Sequence, residues 1–338
     1  MPLTFVYKSK SSNKTETLPE KSSINFIPKP FIDKISIVVD LLPHDGHDFY
    51  TQFFTDIAEP DVYRDAPKAK FGGFKTAKRI ALPSLVKKLT SEPKANKSII
   101  KKYPLIQLAY DKKIKQVKKL RLEFVPVDLG KQGMQELADE ISGLMHDGWD
   151  YLLQHGRVTR LDVTVDFPHL STEDIHFLPQ QMLTYTTWEL DGKRQTITSG
   201  KKQGNQTLIY DRGAKRTAMG QSAEGKNGVR IERRLTKIMP SLQVAQLTNF
   251  SNPFLMLSFV QELSVLPQPI LPKSSEWIWT MFCDSVKQRS LQGALALLSE
   301  ARRTQFRSHL KLHGSHWWQP ELIWEEWKPM LKELHLSK

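Results

Sequence analysis

The stretch RVTRLDVTVDF, residues 157–167, alternates between polar and apolar side chains along most of its length. Successive side chains of a strand point to opposite faces. Arg160, Asp162, Thr164 and Asp166 therefore share one face, and Leu161, Val163 and Val165 share the other. Such a strand belongs to a sheet that packs helices on its apolar side and presents charge on the opposite side. Two other segments repeat the Arg-apolar-acid signature: LRLEF carries Arg121 and Glu123, and VRIER carries Arg230 and Glu232. Leu122 and Ile231 then point to the core, and the acids gather with their arginines on the polar face.

This pattern admits two readings. Cross-strand Arg–acid pairs stabilise a solvated antiparallel face by about 0.2–1 kcal/mol each and require no further role. Alternatively, the converging carboxylates bind Mg²⁺ or Mn²⁺, hard cations that take oxygen ligands. A metal there polarises a phosphodiester oxygen, while the arginines hold flanking phosphates.

Further along stands GNQTLIYDRGAKR, residues 204–216. Alternation puts Leu208 and Tyr210 on one face and Thr207, Ile209 and Asp211 on the other. A tyrosine with an ordinary pKa of about 10 is a weak nucleophile. It becomes effective when a metal or cations stabilise both the phenolate and the phosphate under attack, and Arg212, Lys215 and Arg216 follow closely. The competing reading is an anchored aromatic at a strand end.

Around these strands the spacing predicts a further strand in KISIVVDLL (34–42) and a hairpin from YPLIQLAYD (103–111) and KKLRLEFVPVD (118–128). It predicts one helix over 133–154, and a meander of RQTITSG, QTLIYD and GVRIERRL joined by glycine-rich turns. NPFLMLSFVQEL and the later apolar segments read as helices, with the proline-rich linker VLPQPILPKSSE (265–276) between them. The expected fold is α+β: a largely antiparallel sheet with helices on one face, plus a C-terminal helical domain. A flexible basic arm spans 1–30, the α+β domain 31–250, and a helical DNA-binding or accessory domain 251–338.

The chain of 338 residues carries 49 Lys and Arg against 36 Asp and Glu, a net charge of +13. That balance points to a polyanionic partner, with nucleic acid the commonest, and residues 67–102 are especially basic. No apolar run approaches the roughly 18–20 residues that span a bilayer. The opening MPLTFVYKSKSSNK lacks the apolar core of a signal peptide, so a cytoplasmic setting is expected. The single cysteine, Cys283, excludes internal disulfides and cysteine-rich zinc sites.

In order and approximate spacing, the R-x-D-x-x-x-D strand (Arg160, Asp162, Asp166), the glycine-containing hairpin, the strand end IYDR and the R-x-E strand (Arg230, Glu232) resemble a known family. They are similar to the Rep-trans rolling-circle replication initiators of small plasmids and some filamentous phages. The likeness covers roughly residues 118–240, with Arg212 standing where that family usually has lysine. It implies a bacterial enzyme that binds double-stranded origin DNA and nicks one strand through Tyr210. The products are a 5′-phosphotyrosine link and a free 3′-OH primer. It further implies Asp162, Asp166, Glu232 and Glu123 as ligands of Mg²⁺ or Mn²⁺, with Arg160, Arg230, Arg212 and Lys215 offsetting charge. A homodimer, a host helicase and a polymerase are the implied partners. A second nucleophile at termination is either Tyr210 of another subunit or a different group, with Tyr185 and Tyr151 as candidates.

Neighbouring classes fit less well. Histidine-metal nickases need His-apolar-His, and neither HDGH (44–47) nor HLKLHGSH (309–316) supplies that triplet. Tyrosine recombinases place the nucleophile near the C-terminus, yet no tyrosine follows Tyr210. A mobilisation relaxase with the same chemistry and a non-catalytic origin-binding protein remain as alternatives. In the C-terminal part, Trp277, Trp324 and Trp327 are expected in a helical core. Arg302, Arg303, Arg307 and Lys311 are expected to face DNA.

Overall fold

A computed structural model describes residues 27–54, 62–66, 73–90, 102–179, 185–201, 203–220, 222–225, 227–236 and 242–337. Most of the expected arm, residues 1–26, lies outside the described residues, as do Lys68, Lys70, Lys94, Lys97 and Lys101 of the basic stretch.

The strands are β1 (Phe31–Asp40), β2 (Tyr63–Asp65), β3 (Thr76–Ile80), β4 (Leu105–Asp111), β5 (Gln116–Phe124) and β6 (Arg157–Phe167). They continue as β7 (His176–Pro179), β8 (Tyr185–Leu190), β9 (Lys193–Ser199), β10 (Gln206–Asp211), β11 (Val229–Leu235) and β12 (Leu257–Val260). Ten form one sheet in the order β2-β3-β4-β5-β1-β6-β11-β10-β9-β8, and every neighbouring pair is antiparallel. The remaining two, β12 and β7, pair separately. The α+β class and its antiparallel sheet thus match the alternation read from residues 157–167.

The apolar row of that alternation is continuous across strands. Val165 faces Ile231, Ile231 faces Ile209, and Ile209 faces Ile197, and all four are fully or almost fully buried. Helices Pro43–Phe54, Pro126–Leu144 and Gly148–His155 contribute Phe49, Met134, Leu137, Ile141 and Leu152 to the same core cluster. Burying such side chains contributes roughly 1.5–3 kcal/mol each, which fixes this face of the sheet inward. The opposite face is thereby left to the charged set.

Several expected elements differ. The helix expected over 133–154 is two helices, because Gly148 turns the chain at φ +50° and a Cβ there would meet Ser142 Cα at 2.6 Å. NPFLMLSFVQEL is not a helix but a short 3₁₀ turn followed by β12. Asn252 caps that turn by accepting from the Phe254 N–H at 2.9 Å, and Leu257, Phe259 and Val260 are buried.

Helices Trp277–Ala296 and Glu300–Leu312 build a second cluster with Leu178 and Val260, centred on Trp279, Phe282, Phe306 and Leu310. The chain then returns to the first core. Trp327 is buried there and donates its indole N–H to the Leu247 carbonyl at 2.7 Å. Trp324 stacks on it at 4.3 Å, whereas Trp277 is exposed, contrary to the expected packing. Among the described residues, no helix is long and apolar enough to cross a membrane.

Candidate active site

Strand β11 lies between β6 and β10, and its register sets three rows on the polar face. Tyr210 faces Arg230, which faces Asp166. Leu208 faces Glu232, which faces Thr164. Gln206 faces Arg234, which faces Asp162. The signatures of β6 and β11 are therefore brought side by side with the tyrosine.

One set of carboxylates converges: ligand oxygens of Asp33, Asp162 and Glu232 lie within 4.8 Å of one another. Asp33 is absent from the sequence expectation. It enters because β1 carries a bulge: Ile32 faces Val163 and Lys34 faces Asp162, leaving Asp33 as the extra residue between them. A bulge re-aims a side chain that strict alternation would send elsewhere. In the sequence, Ile32 and Ile35 stand three apart instead of two, and the structure buries both.

Two expected ligands stand apart from this cluster. Asp166 is held by arginines, receiving Arg230 Nε at 2.7 Å and Nη2 at 2.9 Å, with Arg212 Nη2 at 3.2 Å. Glu123 is held by Lys34 at 2.9 Å, Ser36 Oγ at 2.9 Å and Arg121 at 2.8 Å. Burial disfavours its charge, yet Lys34 and Arg121 win and hold its pKa down at about 2. Both acids serve here as partners of basic side chains.

The three converging carboxylates also bond arginines. Arg160 reaches Asp162 through Nε at 3.0 Å and Nη2 at 2.6 Å, Arg234 Nη2 reaches Glu232 at 2.7 Å, and Arg230 Nη1 reaches Asp33 at 3.2 Å. These contacts do not fully offset the crowding. Burial first, and repulsion from Glu232 in addition, raise the pKa values of Asp33 and Asp162. Thr164, fully buried and opposite Glu232, has a hydroxyl oxygen with no hydrogen-bond partner among the described residues. An all-oxygen set of three crowded carboxylates beside an unsatisfied hydroxyl fits a hard divalent cation.

Tyr210 reaches this set directly. Its hydroxyl lies 3.5 Å from Glu232 Oε2, and the residue is 4% exposed. Burial, together with Glu232 and Asp33, drives its pKa well above the ordinary tyrosine value, with Arg230 opposing. Lys215 sits over the ring, its Nζ 3.9 Å from the centroid. Its position follows from helix Arg212–Ala218, which starts where Asp211 Oδ1 accepts the Ala214 N–H at 2.8 Å. Asp211 is thus a helix cap and not a partner of Arg212, which is committed to Asp166.

Other expected residues lie elsewhere. Tyr185 projects from β8 on the face opposite the Tyr210 row, and Tyr151 donates to the Asp40 carbonyl at 3.0 Å. In helix Glu300–Leu312, Arg303 bonds the Leu295 and Leu298 carbonyls and Arg307 bonds the Pro179 carbonyl, so both tie the helix to its own surroundings. Compared with known proteins, the chain matches no family model and no curated protein.

Proposed function

We propose that this chain is a metal-assisted DNA strand transferase that initiates rolling-circle replication by nicking one strand at its origin. The observation that carries the reading is the placement of the Tyr210 hydroxyl 3.5 Å from Glu232, itself one of three converging carboxylates, in a chain of net charge +13. A packed aromatic at a strand end has no need of such neighbours.

In the proposed step Tyr210 Oη attacks phosphorus, and its proton passes to Glu232. The bond from phosphorus to the 3′ oxygen breaks, and that oxygen takes up one proton, balancing the one that Tyr210 gave to Glu232, to become a 3′-OH. One phosphodiester is exchanged for another, so no external energy source is required and the reverse step reseals the strand. A divalent cation bound by Asp33, Asp162 and Glu232 would supply positive charge to the phosphate and favour the phenolate. Lys215, over the tyrosine ring, and Arg230, opposite Tyr210 on the neighbouring strand, stabilise charge building on the phosphate oxygens. The raised pKa of Tyr210 accounts for the need for this assistance: without added cationic charge its proton is held firmly.

The test is incubation of the full chain with supercoiled plasmid bearing its origin and Mn²⁺, followed by mass spectrometry of DNA-linked peptides. The expected product is one DNA-linked peptide containing Tyr210, absent from Tyr210→Phe. Binding without any adduct would establish the origin-binding alternative, and an adduct at another residue would refute the assignment of Tyr210.

A further inference from the structure

The row that contains Tyr210 does not end there. Tyr210 faces Thr196 of β9, and Thr196 faces Trp188 of β8, the edge strand of the sheet. Directly opposed residues of antiparallel strands share a face. Trp188, Thr196, Tyr210, Arg230 and Asp166 therefore form one line across the sheet. Two strand spacings separate Trp188 from Tyr210, on the order of 10 Å. Trp188 is 55% exposed, an unusual state for the side chain with most to gain from burial. Between the two aromatics stands a short threonine hydroxyl, and the adjacent row carries Thr186 and Thr198.

We infer that Trp188 is a stacking platform for an unpaired base next to the phosphate attacked by Tyr210. The inference rests on the nicking reading and adds to it the state of the DNA, single-stranded where it crosses β9 and β8. The geometry supports this occupant in three ways. An indole with an open face stacks any base without regard to sequence. The intervening threonines leave a low, uncharged floor over which a strand can lie. The +13 net charge and Lys215 at the tyrosine end draw the phosphate backbone toward the row. Trp188 acts as a positioning residue: it fixes the register of the strand, and Tyr210 does the chemistry.

The experiment measures binding of fluorescein-labelled single-stranded (dT)₂₀ and of a 20-base-pair duplex by anisotropy. It uses the full chain carrying Tyr210→Phe, so that no covalent product forms. Adding Trp188→Ala is expected to weaken (dT)₂₀ binding about tenfold and to leave duplex binding unchanged, while Trp188→Phe keeps most of the affinity. Equal (dT)₂₀ affinity with and without Trp188, or an equal loss for both DNAs, overturns the inference. So does a Trp188→Ala effect confined to the solution mass of the protein, which would make the edge a contact between two copies of the chain. Because Tyr210 is already replaced, these outcomes are independent of whether the wild-type chain forms an adduct, and the two readings fail separately.

Discussion

Tyr210 and Glu232 lie on adjacent strands, two register positions apart on the same face, and the tyrosine hydroxyl meets the carboxylate at 3.5 Å. Both are buried, at 4% and 1% exposure, so the contact lies in a region where charge is poorly screened. Glu232 is thus an acceptor within reach of the tyrosine proton. Glu232→Gln retains the shape and loses the basicity; on the proposed nicking reaction, single-turnover nicking is expected to fall about 100-fold or more, with DNA binding retained. Gel assay of nicked plasmid beside an anisotropy titration measures the two quantities separately.

Asp33 distinguishes the observed cluster from the set expected on sequence. Asp33→Asn is expected to weaken Mn²⁺ binding by about tenfold or more, whereas Glu123→Gln, on the Lys34–Arg121 network, leaves it unchanged. Titration of the free protein with Mn²⁺, followed by electron paramagnetic resonance of the unbound ion, reads this without any DNA. The reverse ranking of the two variants would restore Glu123 as a ligand.

Asp166 carries a structural load instead. Its carboxylate bonds both Arg230 and Arg212, and all three side chains are largely buried. Asp166→Ala leaves Arg212 without its acid and Arg230 with Asp33 alone, and is expected to destabilise the fold toward the lower end of the roughly 3–5 kcal/mol lost when a buried pair is broken. The midpoint of urea unfolding should fall accordingly, with no change in Mn²⁺ affinity in the fraction that remains folded.

Glu123 sets an acid limit on stability. Its folded pKa of about 2 lies below the unfolded value of about 4.3, so its contribution is complete above pH 4.3 and fades as pH falls toward 2. Between pH 5 and pH 3 the wild type is expected to lose on the order of 2 kcal/mol more than Glu123→Gln. Urea unfolding across that window, with both proteins in the same buffers, gives the difference.

The sequence alone determined the sheet and its two faces. The alternation in residues 157–167 and in VRIER and TLIYD follows from the backbone geometry of a strand, and Leu161, Ile209 and Ile231 are buried as it requires. It also placed Glu232 and Asp162 on the polar face, and Tyr210 on one face with Leu208, because the alternation along a strand is a local property. Which acids meet is not local. That depends on strand order, on register between distant segments, and on one bulge in β1 that turns Asp33 inward, while Asp166 is taken up by two arginines. The C-terminal segments show the same division: NPFLMLSFVQEL has the apolarity of a helix, yet pairing with β7 makes part of it a strand. Composition and spacing limit what each segment can be, but only tertiary packing brings Trp188 into line with Tyr210 and three carboxylates within ligand distance of one another.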